Sequence, residues 1–555
     1  MPELEQCRMR IMSNDYADEI AGYYGTISLL EGEECYQTVN EDFAVTHNPR
    51  QRETERDVRA VSFFMPYCFG LSQQENLEAI GVNRVRRIPG FDYRGSGILI
   101  GFVDTGIDYS HPVFTEANGV SRVVTIWDQS DQTGVPPEGF AYGTEFGRED
   151  IAAGTAPKDE DGHGTFLAGI AAGKEDRENN FAGVAPSAEI AVVKLKEAKP
   201  YLKEYYCMRE DAVAFSEADI MMGVRYLLEY AAKQEKPLVL CLGVCCALGS
   251  HRGTMPLSLY LNSLAYRPDV CLVTAVGNEG NARHHAELNL GNYQKEAELY
   301  VGSRGSGFTV EIFAEAVADL NLKIISPAGD DTSVVGSGFT GTERFPLLFD
   351  RSVVYVERES LMRTGTMQRI RVRMERPSTG IWRFQFGRSD MASTINLWLP
   401  MSDFLEGEVY FLESEPELTL CEPANAPLLL AVGGYSTDND GLAPFSGRGF
   451  TADGLNQPTL LAPSVNVQGP FAGGGYITKS GTSIGAAYTA GAVALFLEYI
   501  EEYRRTGAAA PMDTVLLRNL FSLGAEREDG AEYPSPAYGY GKLNLYGVFE
   551  FLRNL

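Results

Sequence analysis

The pattern of apolar and polar positions changes character twice along the 555 residues. From Gly97 onward, continuous apolar runs alternate with amphipathic stretches. Ile98–Val103, AEIAVVKL (Ala188–Leu195), PLVLCLG (Pro237–Gly243) and CLVTAVG (Cys271–Gly277) show no polar alternation. Strands covered on both faces of a parallel sheet read this way. Ser216–Lys233, lying between two of these runs, has a helical period. The alternation predicts an α/β fold built on a doubly wound, mostly parallel sheet. From about Tyr293 a period of two takes over, in AELYVG, FTVEIFAE, LNLKIISP, SVVYVE, QRIRVRME, GIWRFQFG and INLWLP. That run predicts an inserted all-β sandwich or jelly roll of about seven or eight strands over residues 294–415. APLLLAVGGY (Ala426–Tyr435) then resumes the sheet core, and 514–523 and 541–553 close the unit as helical pieces.

Ahead of the sheet, RMRIM (Arg8–Met12) and DFAVT (Asp42–Thr46) read as short strands around a helix over Tyr16–Tyr24. Pro49–Arg59 is charged and without apolar period, as an exposed linker is. A small α+β unit followed by a polar link fits a removable pro-segment, and fits an ordinary N-terminal decoration equally. The expected organisation is 1–70 pro-segment and linker, 71–293 first part of the α/β domain, 294–415 β insert, and 416–555 second part.

Composition narrows the function classes. Hydrophobic residues at 44% and charged residues at 22% are ordinary for a globular protein. A formal net charge of −28 argues against a nucleic-acid partner, which would require a basic face. No apolar run approaches the roughly 20 residues of a bilayer span, so no membrane partner is expected. MPELEQCRMRIMSNDYADEI lacks the apolar core of a secretory signal. The nine cysteines form no paired framework, which suggests free thiols in a reducing compartment. The expectation is a protein cytoplasmic when made, with spore association or release left open. No cofactor or metal is expected.

The candidate chemistry lies at element ends. In KSGTSIGAAYTAGAV (Lys479–Val493) a Gly-Thr-Ser turn opens into an alanine-rich helix former. Ser483 therefore stands at a helix N-terminus, where free N–H groups and the dipole favour developing negative charge. Asp104 ends the run Ile98–Val103. His163 begins a helical stretch in DGHGTFLAGIAAG, bracketed by glycines, and Asn278 follows a strand in AVGNEGN. Each has a plain alternative as an N-cap serine, an Asx-turn, a turn histidine or an Asn-Glu-Gly turn. Together they supply a nucleophile, a base, an orienting carboxylate and an amide donor.

At these residues the chain resembles the subtilisin-like serine proteases, the subtilases. DTGID, HGTFLAG, GVAPSAEI, AVGNEGN and GTSIGAAYTAGAVAL are similar to the family's successive motifs, over about 95–290 and 420–550. The order Asp…His…Ser is that of subtilisin, a comparison and not a derivation. The resemblance implies Asp104, His163 and Ser483 as catalytic triad and Asn278 as oxyanion donor. It implies that Cys241, Leu242 and Gly243 pair with the substrate backbone and that Ala275, Val276 and Gly277 form the other wall. The β insert, the GNEGN…HH sequence and the lack of a signal look most like the clostridial germination (Csp-type) proteases.

This chain departs from the family pattern at several places. Cys241 stands where serine is usual, Ile484 and Ala486-Ala487 replace Met and Ser-Pro, and Ser464 replaces glycine. Val113 stands where many members carry a calcium-ligand aspartate, so a structural calcium is not expected there. His284-His285 could bind a metal, though a loop role is the better reading. Cys245-Cys246 read as ordinary thiols and Trp127-Asp128-Gln129 as a local turn. The expected function is a serine endopeptidase acting on a restricted protein substrate and on its own pro-segment. Two alternatives stand beside it: a non-catalytic binding or sensor protein on a protease scaffold, and a general intracellular degradative subtilase.

Overall fold

The computed structural model describes residues 2–25, 30, 35–49, 62–69, 79–116, 118–291, 293–318, 320–336, 341–359, 367–387, 392–507 and 510–553. Its centre is an eight-stranded sheet. In spatial order the strands are Leu460–Pro463, Leu430–Tyr435, Val270–Ala275, Leu238–Leu242, Leu99–Asp104, Glu189–Lys194, Val123–Asp128 and Thr144–Gly147. Every neighbouring pair is parallel except the last. The uninterrupted apolar runs are explained by burial on both faces. Ile98, Ile100 and Phe102 join a cluster with Phe166, Leu167 and Ile484, while Leu99 and Val103 join Ile220, Met221 and Val224 on the opposite side. Helices His163–Ala172 and Thr482–Arg505 cover the first face and Glu217–Lys233 the second. Trp127 and Asp128 end a sheet strand, and the local turn follows them: Asp128 Oδ1 accepts the Ser130 and Asp131 N–H groups at 2.8 and 3.2 Å. Contrary to the expectation that no run is long enough, Thr482–Arg505 is long and apolar enough to cross a membrane, but 89% of its apolar window is buried inside the protein, as in a core helix.

Two antiparallel sheets interrupt this unit. One runs His285–Leu290, Ser393–Trp398, Gly307–Glu315, Met367–Glu375, Ser352–Glu359, Gly341–Leu347. The other runs Leu322–Ile325, Gly380–Phe386, Lys295–Val301, Val409–Phe411. Both contribute to one apolar cluster that includes Leu299, Val310, Val372, Trp382 and Phe384. The antiparallel segment begins at His285, ahead of the expected boundary at 294, because His285–Leu290 pairs with Ser393–Trp398.

The N-terminal unit keeps its α+β composition but exchanges the expected elements. Pro2–Met12 is a helix and Tyr16–Gly22 a strand. Glu, Leu, Gln, Arg and Met in the first stretch lose little rotamer freedom in a helix, and a strand pattern read from RMRIM alone misses that. The sheet order is Tyr36–Thr38, Phe43–Pro49, Tyr16–Gly22, Ser62–Phe64, all antiparallel. Cys7 and Cys35 form a disulfide with Cα atoms 5.3 Å apart, which corrects the expectation of free thiols throughout. Seven other cysteines are free and buried. Nearly all of the expected linker, Pro49–Arg59, lies outside the described residues.

The unit is fastened to the body by buried polar contacts. Lys199 Nζ lies 2.7 Å from Asp18 Oδ1, which also accepts from His47 Nδ1 at 2.7 Å. Tyr201 Oη accepts from the Asp18 N–H at 2.7 Å and donates to the Asp18 carbonyl at 3.0 Å.

Candidate active site

The carboxyl ends of the central strands point at the N-termini of two helices, and the predicted residues meet there. Asp104 is the last residue of its strand and His163 the first of the helix His163–Ala172. His163 Nδ1 donates to Asp104 Oδ1 at 2.7 Å, which fixes the tautomer and leaves Nε2 to accept. Ser483 Oγ lies 3.2 Å from that Nε2. The three side chains are almost fully buried. A hydroxyl, an imidazole and a carboxylate joined in this order can pass a proton from the hydroxyl to the ring while the carboxylate stabilises the imidazolium.

The surroundings hold each partner in place. Asp104 Oδ1 also accepts the Thr105 N–H at 2.8 Å, and Thr105 Oγ1 accepts the Gly164 N–H at 2.9 Å. A side chain at Gly164 would overlap the Gly106 carbonyl, so glycine is required where helix and strand end approach. Asp159 and Asp161 cap the histidine helix. Asp159 Oδ2 accepts the Thr165 N–H at 2.9 Å, and Asp161 Oδ1 accepts that of His163 at 3.1 Å. Burial raises the pKa of Asp161. A methyl group on Gly243 would overlap Leu167 Cδ1 and crowd His163 Cε1 at 3.0 Å and Asp104 Oδ2 at 3.1 Å, so glycine gives this strand end its close approach to the pair.

Asn278 is oriented by its neighbours. Its Oδ1 accepts the Thr482 N–H at 3.0 Å and the Thr482 hydroxyl at 3.2 Å, while Thr482 Oγ1 accepts the Gly277 N–H at 3.0 Å. With Oδ1 committed to donors, the amide Nδ2 is the end turned away from Thr482. It can donate to an oxyanion beside the first turn of the Ser483 helix.

Cys241 and Leu242 lie within a central strand, Ala275 ends the neighbouring one, and Gly243, Val276 and Gly277 continue from those ends, all buried. Burial, then the Asp104 charge, raises the pKa of the Cys241 thiol, which stays neutral and inert. Val113 is buried in an apolar cluster. His285 is in a strand and not a loop; its Nδ1 meets the Glu417 carbonyl and its Nε2 Asn396 Oδ1, both at 2.8 Å. His284 Nδ1 lies 2.9 Å from Glu279 Oε2. Thr482, Thr105, Asp159 and Asp161 were not singled out from sequence. Thr482, Thr105 and Asp161 stand within the same short motifs, one or two residues from Ser483, Asp104 and His163, whereas Asp159 lies ahead of its motif, four residues before His163.

One further strand reaches this side of the molecule. Cys68–Phe69 pairs antiparallel with Phe215–Ser216, and the Tyr67 N–H donates to Glu217 Oε2 at 3.2 Å. The Tyr67 hydroxyl donates to Glu311 of the inserted sheets at 3.0 Å.

Residues 95–303 and 412–541 match the Subtilase family, well over half of the chain. The chain belongs to the subtilase family. Among curated relatives, this subtilase is 28% identical to the subtilisin-like protease SBT2.3 of Arabidopsis thaliana, over 40% of its own length and 27% of the plant protein. It is 26% identical to thermitase of Thermoactinomyces vulgaris over 34% of its own length and 50% of thermitase. It therefore spans half or less of these relatives. The structure of the CspB protease of Clostridium perfringens superposes with a TM-score of 0.75 at 26% identity, covering 86% of this chain and 97% of that one.

Proposed function

We propose that this subtilase is a serine endopeptidase that cleaves protein substrates through an acyl-enzyme. The observation that carries the reading is the hydrogen-bonded series Ser483 Oγ–His163 Nε2 and His163 Nδ1–Asp104 Oδ1 beside an amide already oriented by Thr482. Ser483 Oγ attacks the carbonyl carbon as His163 takes its proton. Asn278 Nδ2 and the Ser483 N–H hold the oxyanion, and His163 returns the proton to the leaving amine. Water then repeats the sequence in reverse to free the enzyme.

The N-terminal unit, residues 1 to about 70, is read as a pro-segment that the enzyme clips. Support comes from its docking on the body and from the Cys68–Phe69 strand seated beside Phe215–Ser216. The β insert, read as a jelly roll over 294–415, acts as a clamp, since Glu311 holds Tyr67 at the end of that segment. A clamped site suits a restricted substrate, such as a proenzyme, better than general degradation.

The test is intact mass and N-terminal sequencing of the purified wild type beside Ser483→Ala. Shortening near residue 70 in wild type, with the variant full length, is expected. If both remain full length and a fluorophosphonate fails to label Ser483, a non-catalytic binding role replaces this reading.

A further inference from the structure

We propose that the inserted sheets and the body together form a distal substrate pocket that selects a tyrosine side chain, and that Tyr67 is its resident occupant. The proposal rests on the endopeptidase reading above. It names the feature that a restricted substrate carries: a tyrosine directly ahead of the two residues that pair with Phe215–Ser216, as Tyr67 stands ahead of Cys68–Phe69. The main chain of Tyr67 is held without regard to sequence. Its N–H donates to Glu217 Oε2 at 3.2 Å, and its carbonyl accepts the Glu217 N–H at 2.8 Å. Any extended peptide can make those bonds, so selection at this position falls to the side chain.

That side chain meets a site built around a phenol. Its hydroxyl donates to Glu311 Oε2 at 3.0 Å, with Oε1 at 3.2 Å, and accepts from Arg369 Nη1 at 3.4 Å. Phenylalanine can do neither. The carboxylate is fixed by other groups: Oε2 accepts the Gly249 N–H at 3.0 Å and Oε1 accepts Arg371 Nε at 2.8 Å. Strand register sets Glu311 opposite Arg371 within the insert. The ring of Tyr67 stacks on Tyr206 of the body, with centroids 5.8 Å apart and planes 27° from parallel. Burial, followed by the Glu311 charge, raises the pKa of the phenol, so the hydroxyl keeps the proton it donates. Tyr67 is 2% exposed and Glu311 0%. A ring without the hydroxyl would leave a buried carboxylate and a guanidinium each short of a partner. That penalty is how a site built for a hydroxyl rejects the analogue lacking it. Glu311 and Arg369 come from the insert, Gly249 and Tyr206 from the body, so the pocket exists only where the two meet. Departure of the clipped segment vacates it for an incoming strand.

The test uses two synthetic peptides spanning residues 60–78, one with the native sequence and one with phenylalanine in place of the tyrosine. The enzyme is the full chain carrying Tyr67→Ala, whose own segment leaves the pocket empty. The readout is kcat/KM for each peptide, from mass spectrometry of the products, with a small alkyl fluorophosphonate on Ser483 alongside. The native peptide should be favoured by at least about tenfold. A second variant, Tyr67→Phe, keeps the ring and its packing, and its self-clipping after pulse labelling should be slower than that of wild type by a similar factor. If Tyr67→Ala does not fold, this rate decides. Equal kcat/KM for the two peptides overturns the proposal. So does clipping of Tyr67→Phe at the wild-type rate where that measurement decides. Labelling of Ser483 with neither peptide cut overturns it too, leaving the endopeptidase reading in place. Absence of labelling in wild type and variant alike removes that reading, and the proposal with it.

Discussion

The site and the units attached around it are held by different physics. At the site, strand and helix ends are fixed by an apolar interior on both faces of the sheet, and the side chains meet through a few short hydrogen bonds. The attached units are joined to the body through buried charge. Asp18, His47 and Lys199 tie down the N-terminal unit. Glu311 and Arg371, with an N–O distance of 2.6 Å, sit where the inserted sheets meet the body and Tyr67. Burying charge is costly unless every partner is present, so such joints are sensitive to loss of a single group. The difference implies that activity and attachment can be broken separately.

The largest expected effect is on chemistry. Asp104→Asn keeps the shape of the site but favours the wrong imidazole tautomer, and should lower kcat by about 10⁴-fold. Thermal stability should stay near wild type, because the Thr105 contact to Oδ1 remains available. A Tm lowered along with activity would mean that the site is also a stability element, and the contrast would weaken.

Breaking a joint should do the reverse. Lys199→Met removes the nearest cation from the buried Asp18, which keeps its His47 bond, and should cost up to about 3–5 kcal/mol. Burial alone would raise the pKa of Asp18, but Lys199 and His47 outweigh it and hold the carboxyl below its ordinary range. A depressed folded pKa gives stability that is present above the unfolded value and is lost as pH falls through the folded one. Hydrogen exchange over Tyr16–Gly22 and Phe43–Pro49 should therefore accelerate in Lys199→Met, with fluorophosphonate labelling of Ser483 retained. Unchanged exchange would show that packing, and not this ion pair, holds the unit.

The same division governs how much could be read from sequence. Ile98–Val103 and its counterparts are continuous apolar runs, so their ends, and with them Asp104 and Asn278, can be located without a structure. The attached units carry weaker signals. Tyr16–Gly22 and Pro2–Met12 are short and of mixed polarity, which lets helix and strand exchange places. Gly341–Leu347 is missed because most of its residues are exposed or half-buried, and its edge position leaves little apolar pattern. Glu311 sits in FTVEIFAE, where alternation suggests a solvent face. That strand is buried through eight of its nine residues, since one face meets the insert's core and the other the body. A charge under a second layer looks, in sequence, like a charge in water.

Asn278→Ala sharpens the site's half of the contrast. Loss of one oxyanion donor should lower kcat by about 10²–10³-fold with little change in KM. Thr482 would lose an acceptor for its N–H at the same time, so Asn278→Asp serves as the second variant: it keeps an acceptor for Thr482 but presents no donor. If Asn278→Asp retains wild-type kcat, the amide is a structural brace for Thr482 alone.

The smallest effect lies at the joint between insert and body, and it is set by pH. His251 of the body stacks on Trp398 of the inserted sheets with ring centroids 4.0 Å apart and planes 7° from parallel. His285 stacks on the same indole at 5.0 Å. Burial is the largest influence on both histidines and lowers their pKa values, that of His251 to about 3. For a base with a depressed folded pKa, the unfolded chain binds the extra proton. Stability is therefore complete above the ordinary histidine value and declines as pH falls below it, by at most about 1.4 kcal/mol per pH unit for each ring. His251→Phe keeps an aromatic plane on Trp398 and removes one titrating group. Between pH 7 and pH 5, wild-type Tm and the exchange protection of Ser393–Trp398 should fall together, and His251→Phe should lose part of that slope. Equal slopes in the two proteins would place the acid-sensitive group elsewhere and leave the stack as an apolar joint, closer in kind to the body than to the charged attachments.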